Sequence, residues 1–161
     1  MNENSNIAFR PHDHSECQQH SLDAIEKMCE SRKLRLTARR RQVLEVLMSS
    51  HQPMGAYQIL DELNQAEPGT RIAPPIVYRA LEFLLDLGII HRIESLNAYI
   101  FCSQPGHQCV SQFLICRHCE RVAELETTNQ NLIDAAENLG FEVDYSVVEI
   151  TGVCAECREH A

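Results

Sequence analysis

Apolar positions recur at helical spacing through the first half of the chain. In "SLDAIEKMCESRKL", Leu22, Ile25, Met28 and Cys29 share one face of a first helix. In "LTARRRQVLEVLMSS", Val43, Leu44, Val46 and Leu47 form the apolar face of a second, with Thr37 placed to cap it. "HQPMG" breaks that helix, and "AYQILDELNQAE" predicts a third with Ile59, Leu60 and Leu63 inward. "APPIVYRALEFLLDLG" predicts a fourth: proline suits its first turn, Val77, Leu81, Leu84 and Leu85 make the stripe, and Gly88 ends it. The period then shortens. "IIHRIES" and "AYIFC" read as two strands of a hairpin joined at "LN". After the linker "SQPGHQ" come short strands in "SQFLIC" and "RVAELE" and a helix in "TTNQNLIDAAENLG", with Thr128 as its cap and Gly140 as its stop. A long alternating strand, "FEVDYSVVEITGVC", completes the order.

The second, third and fourth helices with the hairpin describe a winged helix-turn-helix, the fourth in the recognition position. The remainder is a small α/β unit, so the fold class is α+β. The expected organisation is a polar His-rich tail over 1–16, a winged-helix domain over 17–103, a hinge over 104–109 and an α/β dimerisation domain over 110–161.

No apolar run reaches the ~18 residues of a membrane span. The first residues, "MNENSNIAFRPHDHSECQQH", lack the apolar segment of a secretory signal. The expected compartment is therefore the cytoplasm, where eight cysteines point to metal ligands or redox centres rather than disulfides. The net charge of −9 argues against a nucleic-acid partner until its distribution is considered. Residues 32–92 carry a net of +3, flanked by −4 before and −8 after. A basic block between acidic flanks suits a local polyanion-binding face, although ordinary surface variation explains the same numbers.

Cys116, Cys119, Cys154 and Cys157 follow C-x2-C-x34-C-x2-C spacing. Zinc accepts four thiolates in a tetrahedron. Such a site would staple the first and last strands of a unit of about 50 residues, a size that is marginal alone. The alternative, a redox dithiol, fits less well because neither pair is expected to open a helix after a strand. Four protein ligands leave no open position, so the site is structural. His91 in the first wing strand, Cys102 at the end of the second, His107 in the linker and Glu124 beyond the first C-x-x-C form a further candidate set, which would tie the two domains across the hinge. Each also has a plain reading, as wing surface, small core residue, solvated linker and exposed strand. His118 and Cys109 are nearby competitors.

The order of helices, "APPIVYRALEFL", the wing "GIIHRIES", "YIFC" and the paired C-x-x-C elements together resemble the ferric uptake regulator family of metal-sensing repressors, over roughly residues 20–157. Iron-sensing members carry several histidines with an aspartate before the first C-x-x-C, where this chain has only "PGHQC". Cys102 at the end of the wing strand is similar to the zinc-sensing members. The donor chemistry agrees, because two histidines, a thiolate and a carboxylate favour tetrahedral zinc. The resemblance thus implies two zinc ions per chain: one structural, and one regulatory on His91, Cys102, His107 and Glu124. It also implies a homodimer, operator DNA as partner, repression when zinc is plentiful, and no small organic substrate or membrane. One departure is visible: Thr37-Ala38 stands where members often have Thr-Pro, and alanine is a good helix former.

For DNA, Arg79 near the start of the recognition helix can donate bidentately to guanine, worth ~1–3 kcal/mol of discrimination; the plainer reading is a phosphate contact alone. Tyr78 suits a thymine methyl or a phosphate. Arg35, Arg39, Arg40, Arg41 and Tyr57 are candidates for backbone contacts, which position without specifying sequence. His12, His14, Cys17 and His20 in the tail make a weak third metal site. Rival readings are a sibling sensor of iron, manganese, nickel or peroxide, a zinc buffer or chaperone, and a zinc hydrolase or deaminase. The last needs an open metal position beside a general base, and no H-E-x-x-H or deaminase signature is present. No enzymatic activity is expected.

Overall fold

The computed structural model describes residues 14–49, 52–102, 105, 111–125, 127, 129–144 and 146–159. The chain divides into two compact units, one within residues 11–107 and the other within 108–161.

In the first unit, α1 (His14–Ser31), α2 (Ala38–Met48), α3 (Ala56–Ala66) and α4 (Pro74–Asp86) precede a hairpin of β1 (Ile90–Ile93) and β2 (Ala98–Phe101). α1 begins earlier than Ser21, where the apolar pattern places it. Its Leu22, Ile25 and Cys29 join Val43, Leu44 and Leu47 of α2, Ile59, Leu60 and Leu63 of α3, and Val77, Leu81 and Leu84 of α4 in one core. Val46 and Leu85 pack at its margin rather than inside it. The burial of these faces, more than local propensity, holds helices of this length. Thr37 takes the N-cap position of α2 but its hydroxyl makes no capping bond; its carbonyl instead accepts the Arg41 amide at 2.9 Å. At the other end of α4, Gly88 adopts φ +63°. Its amide reaches Leu85 O and the Ile89 amide reaches Leu84 O, both at 2.9 Å, which satisfies the last carbonyls and turns the chain into the wing.

The wing strands pair antiparallel with His91 opposite Ile100. The strand predicted over "IIHRIES" is shorter than expected: β1 stops at Ile93, Glu94–Leu96 form a 3-10 turn, and Asn97 closes it at φ +47°. The outer edge of β2 is also occupied. Met54 and Tyr99 exchange both amide bonds at 2.9 Å, which ties the segment leading into α3 to the wing.

The second unit is a three-stranded sheet in the order β4-β3-β5. β3 (Ser111–Cys116) pairs antiparallel with β4 (Val122–Leu125) and parallel with β5 (Val147–Gly152), and α5 (Gln130–Asn138) makes the crossover. The expected long strand over 141–154 is reduced to β5. β5 pairs from Val147 to Gly152 with Ser111 to Cys116 of β3, and residues 141–144 are not strand. Thr128, the expected cap of α5, lies outside the described residues; Asn129 holds the N-cap position without a side-chain bond. A short helix that the sequence did not suggest, α6 (Ala155–Glu159), ends the unit.

Candidate metal centres and nucleic-acid interface

Cys116 is the last residue of β3, and the turn that follows carries Cys119 back toward β4. Glu120 makes that reversal tight at φ +58°, and its amide reaches Cys116 O at 2.9 Å. Cys154 follows β5 and Cys157 lies in α6, so the second C-x-x-C does open a short helix after a strand, contrary to the sequence expectation. Parallel pairing of β3 with β5 sets the two strand ends side by side, Cys116 opposite Gly152. The four Sγ atoms therefore converge, all within 4.8 Å of one another. Zinc–sulfur bonds of ~2.3 Å in a tetrahedron require sulfurs ~3.8 Å apart. Cys119 and Cys154 Sγ are 3.8 Å apart. The donor set and its spacing fit the ion.

The electrostatics of this cluster are uneven. Burial raises the Cys116 thiol, yet amide bonds from Cys154, Cys119 and His118 outweigh it and bring the group down to about 5. The Cys154 amide lies 3.4 Å from that sulfur. Hydrogen bonding to Cys154, with burial and the other two sulfurs, pushes Cys157 up to about 12. Burial likewise raises Cys119. One thiolate, Cys116, thus forms readily, while Cys119 and Cys157 hold their protons. A divalent cation bound there would offset half the charge of four thiolates and so favour their deprotonation. An ion pair spans the two knuckles: Arg121, two residues past Cys119, donates to Glu156, between Cys154 and Cys157, at 3.0 Å. His118 is exposed on the turn.

In the other unit, the wing brings His91 and Cys102 together. Cys102 follows β2, and its amide continues the ladder to Ile89 O at 2.9 Å. Since His91 is opposite Ile100, Cys102 lies diagonally across from it on the same face of the hairpin. Their donor atoms are within 4.8 Å, Cys102 is fully buried and His91 half-buried. Glu124 is half-buried on β4, opposite Phe113. His107 and Cys109 lie outside the described residues, as does His12; the side chains of His14, Cys17 and His20 in α1 are likewise outside the description.

On α4, burial of Val77, Ala80, Leu81 and Leu84 turns Ile76, Tyr78 and Arg79 outward. Tyr57 at the start of α3 is 65% exposed, and Arg35 is exposed ahead of α2. The three arginines of α2 are arranged differently. Arg39 pairs with Glu67 at 3.2 Å, Arg40 lies over the Phe83 ring, and Arg41 pairs with Glu26 and Glu45. Apart from Glu45, one turn on from Arg41, these partners are distant in sequence, and periodicity carries no signal for them. No helix among the described residues is long and apolar enough to cross a membrane.

Comparison with known proteins identifies the lineage. The sequence profile of the ferric uptake regulator family matches residues 31–151. The zinc uptake regulation protein of Escherichia coli (strain K12) is 39% identical over 146 residues, covering 88% of this chain and 83% of that protein. The ferric uptake regulation protein of Campylobacter jejuni is 26% identical over 143 residues, covering 85% of this chain and 88% of that protein. A solved zinc uptake regulator, complexed with zinc and DNA, is 38% identical with a TM-score of 0.77, covering 89% of this chain and 95% of that chain. By profile, by sequence and by fold, the chain belongs to the ferric uptake regulator family.

Proposed function

We propose that the protein is a zinc-responsive transcriptional repressor acting at operators of zinc-uptake genes. The observation that carries the zinc reading is the His91–Cys102 pair on one face of the wing, since a thiolate beside an imidazole favours zinc over the oxygen-rich sites of iron(II) or manganese(II). The likeness to a zinc uptake regulation protein and to a regulator solved with zinc and DNA supports it. Two zinc ions per chain are proposed. Cys116, Cys119, Cys154 and Cys157 hold a structural ion, and the convergence of their sulfurs supports that role. His91, Cys102, His107 and Glu124 hold a regulatory ion. Bound zinc supplies a cross-link between ligands; every other part of the response belongs to the protein. The domain limits proposed are a tail to residue 16, the winged helix over 17–103, a hinge over 104–109 and the dimerisation domain from 110.

Tyr78, Arg79, Arg35 and Tyr57 are the proposed DNA contacts; all are exposed. Two chains pair through the α/β unit, whose exposed Leu132, Leu139, Phe141, Val147 and Ile150 supply an apolar surface for that contact. The two recognition helices of the dimer must match half-sites ~34–36 Å apart. Ligands drawn from both sides of the hinge would fix that spacing, so zinc and DNA binding are coupled and each strengthens the other.

The test is DNA binding to zinc-transporter promoters, titrated against buffered free zinc, with Cys102→Ser in parallel. Wild type is expected to bind only with zinc, and the variant to fail while keeping its structural zinc. Activation by iron(II) or manganese(II) but not zinc would refute the metal assignment. A chain that binds no promoter with any metal would refute the repressor.

A further inference from the structure

Arg39, Arg40 and Arg41 lie consecutively in the first turn of α2 and concentrate its positive charge. On charge alone they read as phosphate contacts. In the folded unit each turns to a different helix. Arg39 Nη1 and Nη2 donate to the two carboxylate oxygens of Glu67, at 3.4 and 3.2 Å. Glu67 is the C-cap of α3, and its carboxylate also accepts a bond from Gln42, one turn along α2. The Arg40 guanidinium stands 3.5 Å from the centroid of the Phe83 ring of α4, and its Nη1 donates to Arg35 O at 2.8 Å. Arg41 is paired with Glu26 of α1 and with Glu45.

We propose that Arg39 and Arg40 are positioning residues of the helix-turn-helix, not phosphate contacts: Arg39 fastens the end of α3 through Glu67, and Arg40 sets the roll of α4 through Phe83. This rests on the DNA-binding reading given above. The forked guanidinium matches the Glu67 carboxylate bidentately, so reaching a phosphate would require breaking that pair. Glu67 also precedes the short segment 68–73 that leads into Pro74, the first residue of α4. Phe83 is four residues after Arg79, on the same side of α4, so rotation of the helix at Phe83 also moves Arg79. Arg40 lies over the ring, where a planar guanidinium can stack and a lysine ammonium cannot. With Arg39 and Arg41 already facing carboxylates, the run presents little net charge to DNA.

The experiment uses the full-length, zinc-loaded protein, a duplex selected in vitro by the wild type, and an unrelated duplex. Affinities are measured across a salt series for Arg39→Gln, Glu67→Gln, Arg40→Gln and Arg40→Lys, each corrected for active fraction by stoichiometric titration. Arg39→Gln and Glu67→Gln are both expected to weaken the selected duplex roughly 2- to 10-fold, the range of partly exposed charge pairs and charged hydrogen bonds. Arg40→Lys is expected to lose as much as Arg40→Gln. The unrelated duplex and the slope of log K against log salt stay as in wild type. A Glu67→Gln variant that binds tighter, or like wild type, overturns the proposal, since freeing a phosphate-binding arginine strengthens binding. So does a slope reduced by about 1 per protomer in Arg39→Gln, the signature of a lost phosphate contact, or wild-type affinity in Arg40→Lys. If the wild type selects no duplex at any zinc level, the repressor reading itself falls, an outcome distinct from these.

Discussion

Removing the structural zinc proposed for the four-cysteine cluster, by a chelator or by Cys119→Ser, should unfold one unit and spare the other. The asymmetry follows from where burial is found. In the α/β unit, the buried side chains among the described residues are Gln112, Phe113, Ile115, Cys116, Val122 and Ala123. α5 has no buried residue, and Val147 and Ile150 of β5 are exposed. A fully buried large apolar side chain contributes ~1.5–3 kcal/mol. Phe113, Ile115 and Val122 together fall short of the ~10–16 kcal/mol that a closed structural zinc site supplies. That metal term matches or exceeds the whole net stability of a typical domain, ~5–15 kcal/mol. The winged helix, by contrast, packs four helices and the wing around one continuous core. Hydrogen exchange read by mass spectrometry separates the two. On zinc removal, amides of 111–116, 122–125 and 147–152 should lose protection, while those of 43–48 and 77–84 keep it. Persistent protection across β3 and β5 in zinc-free protein, at concentrations where the chain is monomeric, would refute the argument, because it would mean that the sheet stands on its own core.

Two further outcomes follow from packing and charge. Leu84 is fully buried on α4, so Leu84→Ala should cost about 2–5 kcal/mol; a calorimetric loss below about 1 kcal/mol would mean that the helices are less tightly packed than described. The Glu67 carboxyl is held below its ordinary range by hydrogen bonds from Gln42 first and Arg39 second. A depressed folded pKa contributes stability above the unfolded value, about 4.3, which is lost as pH falls through the folded value. Glu67→Gln should therefore melt lower than wild type at pH 7, and the gap should close on acidification below pH about 4; a gap independent of pH would show that the carboxylate charge contributes nothing.

Local spacing reports local geometry, and much of this protein was legible that way. The 3.6-residue period of Val43, Leu44 and Leu47, and of Val77, Leu81 and Leu84, marked the faces that the core buries. Proline before and Gly88 after the fourth helix marked its ends because their backbone preferences act within a turn. The alternation around His91 and Cys102 marked a hairpin, and hairpin pairing alone puts those two donors on one face. Two C-x-x-C turns named a thiolate chemistry. What spacing did not carry is the outcome of competition between distant groups. β5 begins only at Val147, so the alternation over 141–144 formed no strand. Thr37 caps with its backbone alone. α6 is too short for a period to reveal it. The arginines of α2 showed the difference most clearly. Their charge was plain in the sequence, but a guanidinium is used by whichever carboxylate or ring the fold brings within reach. Glu67 and Phe83 lie 28 and 43 positions away from Arg39 and Arg40, a separation that only the packing of three helices closes.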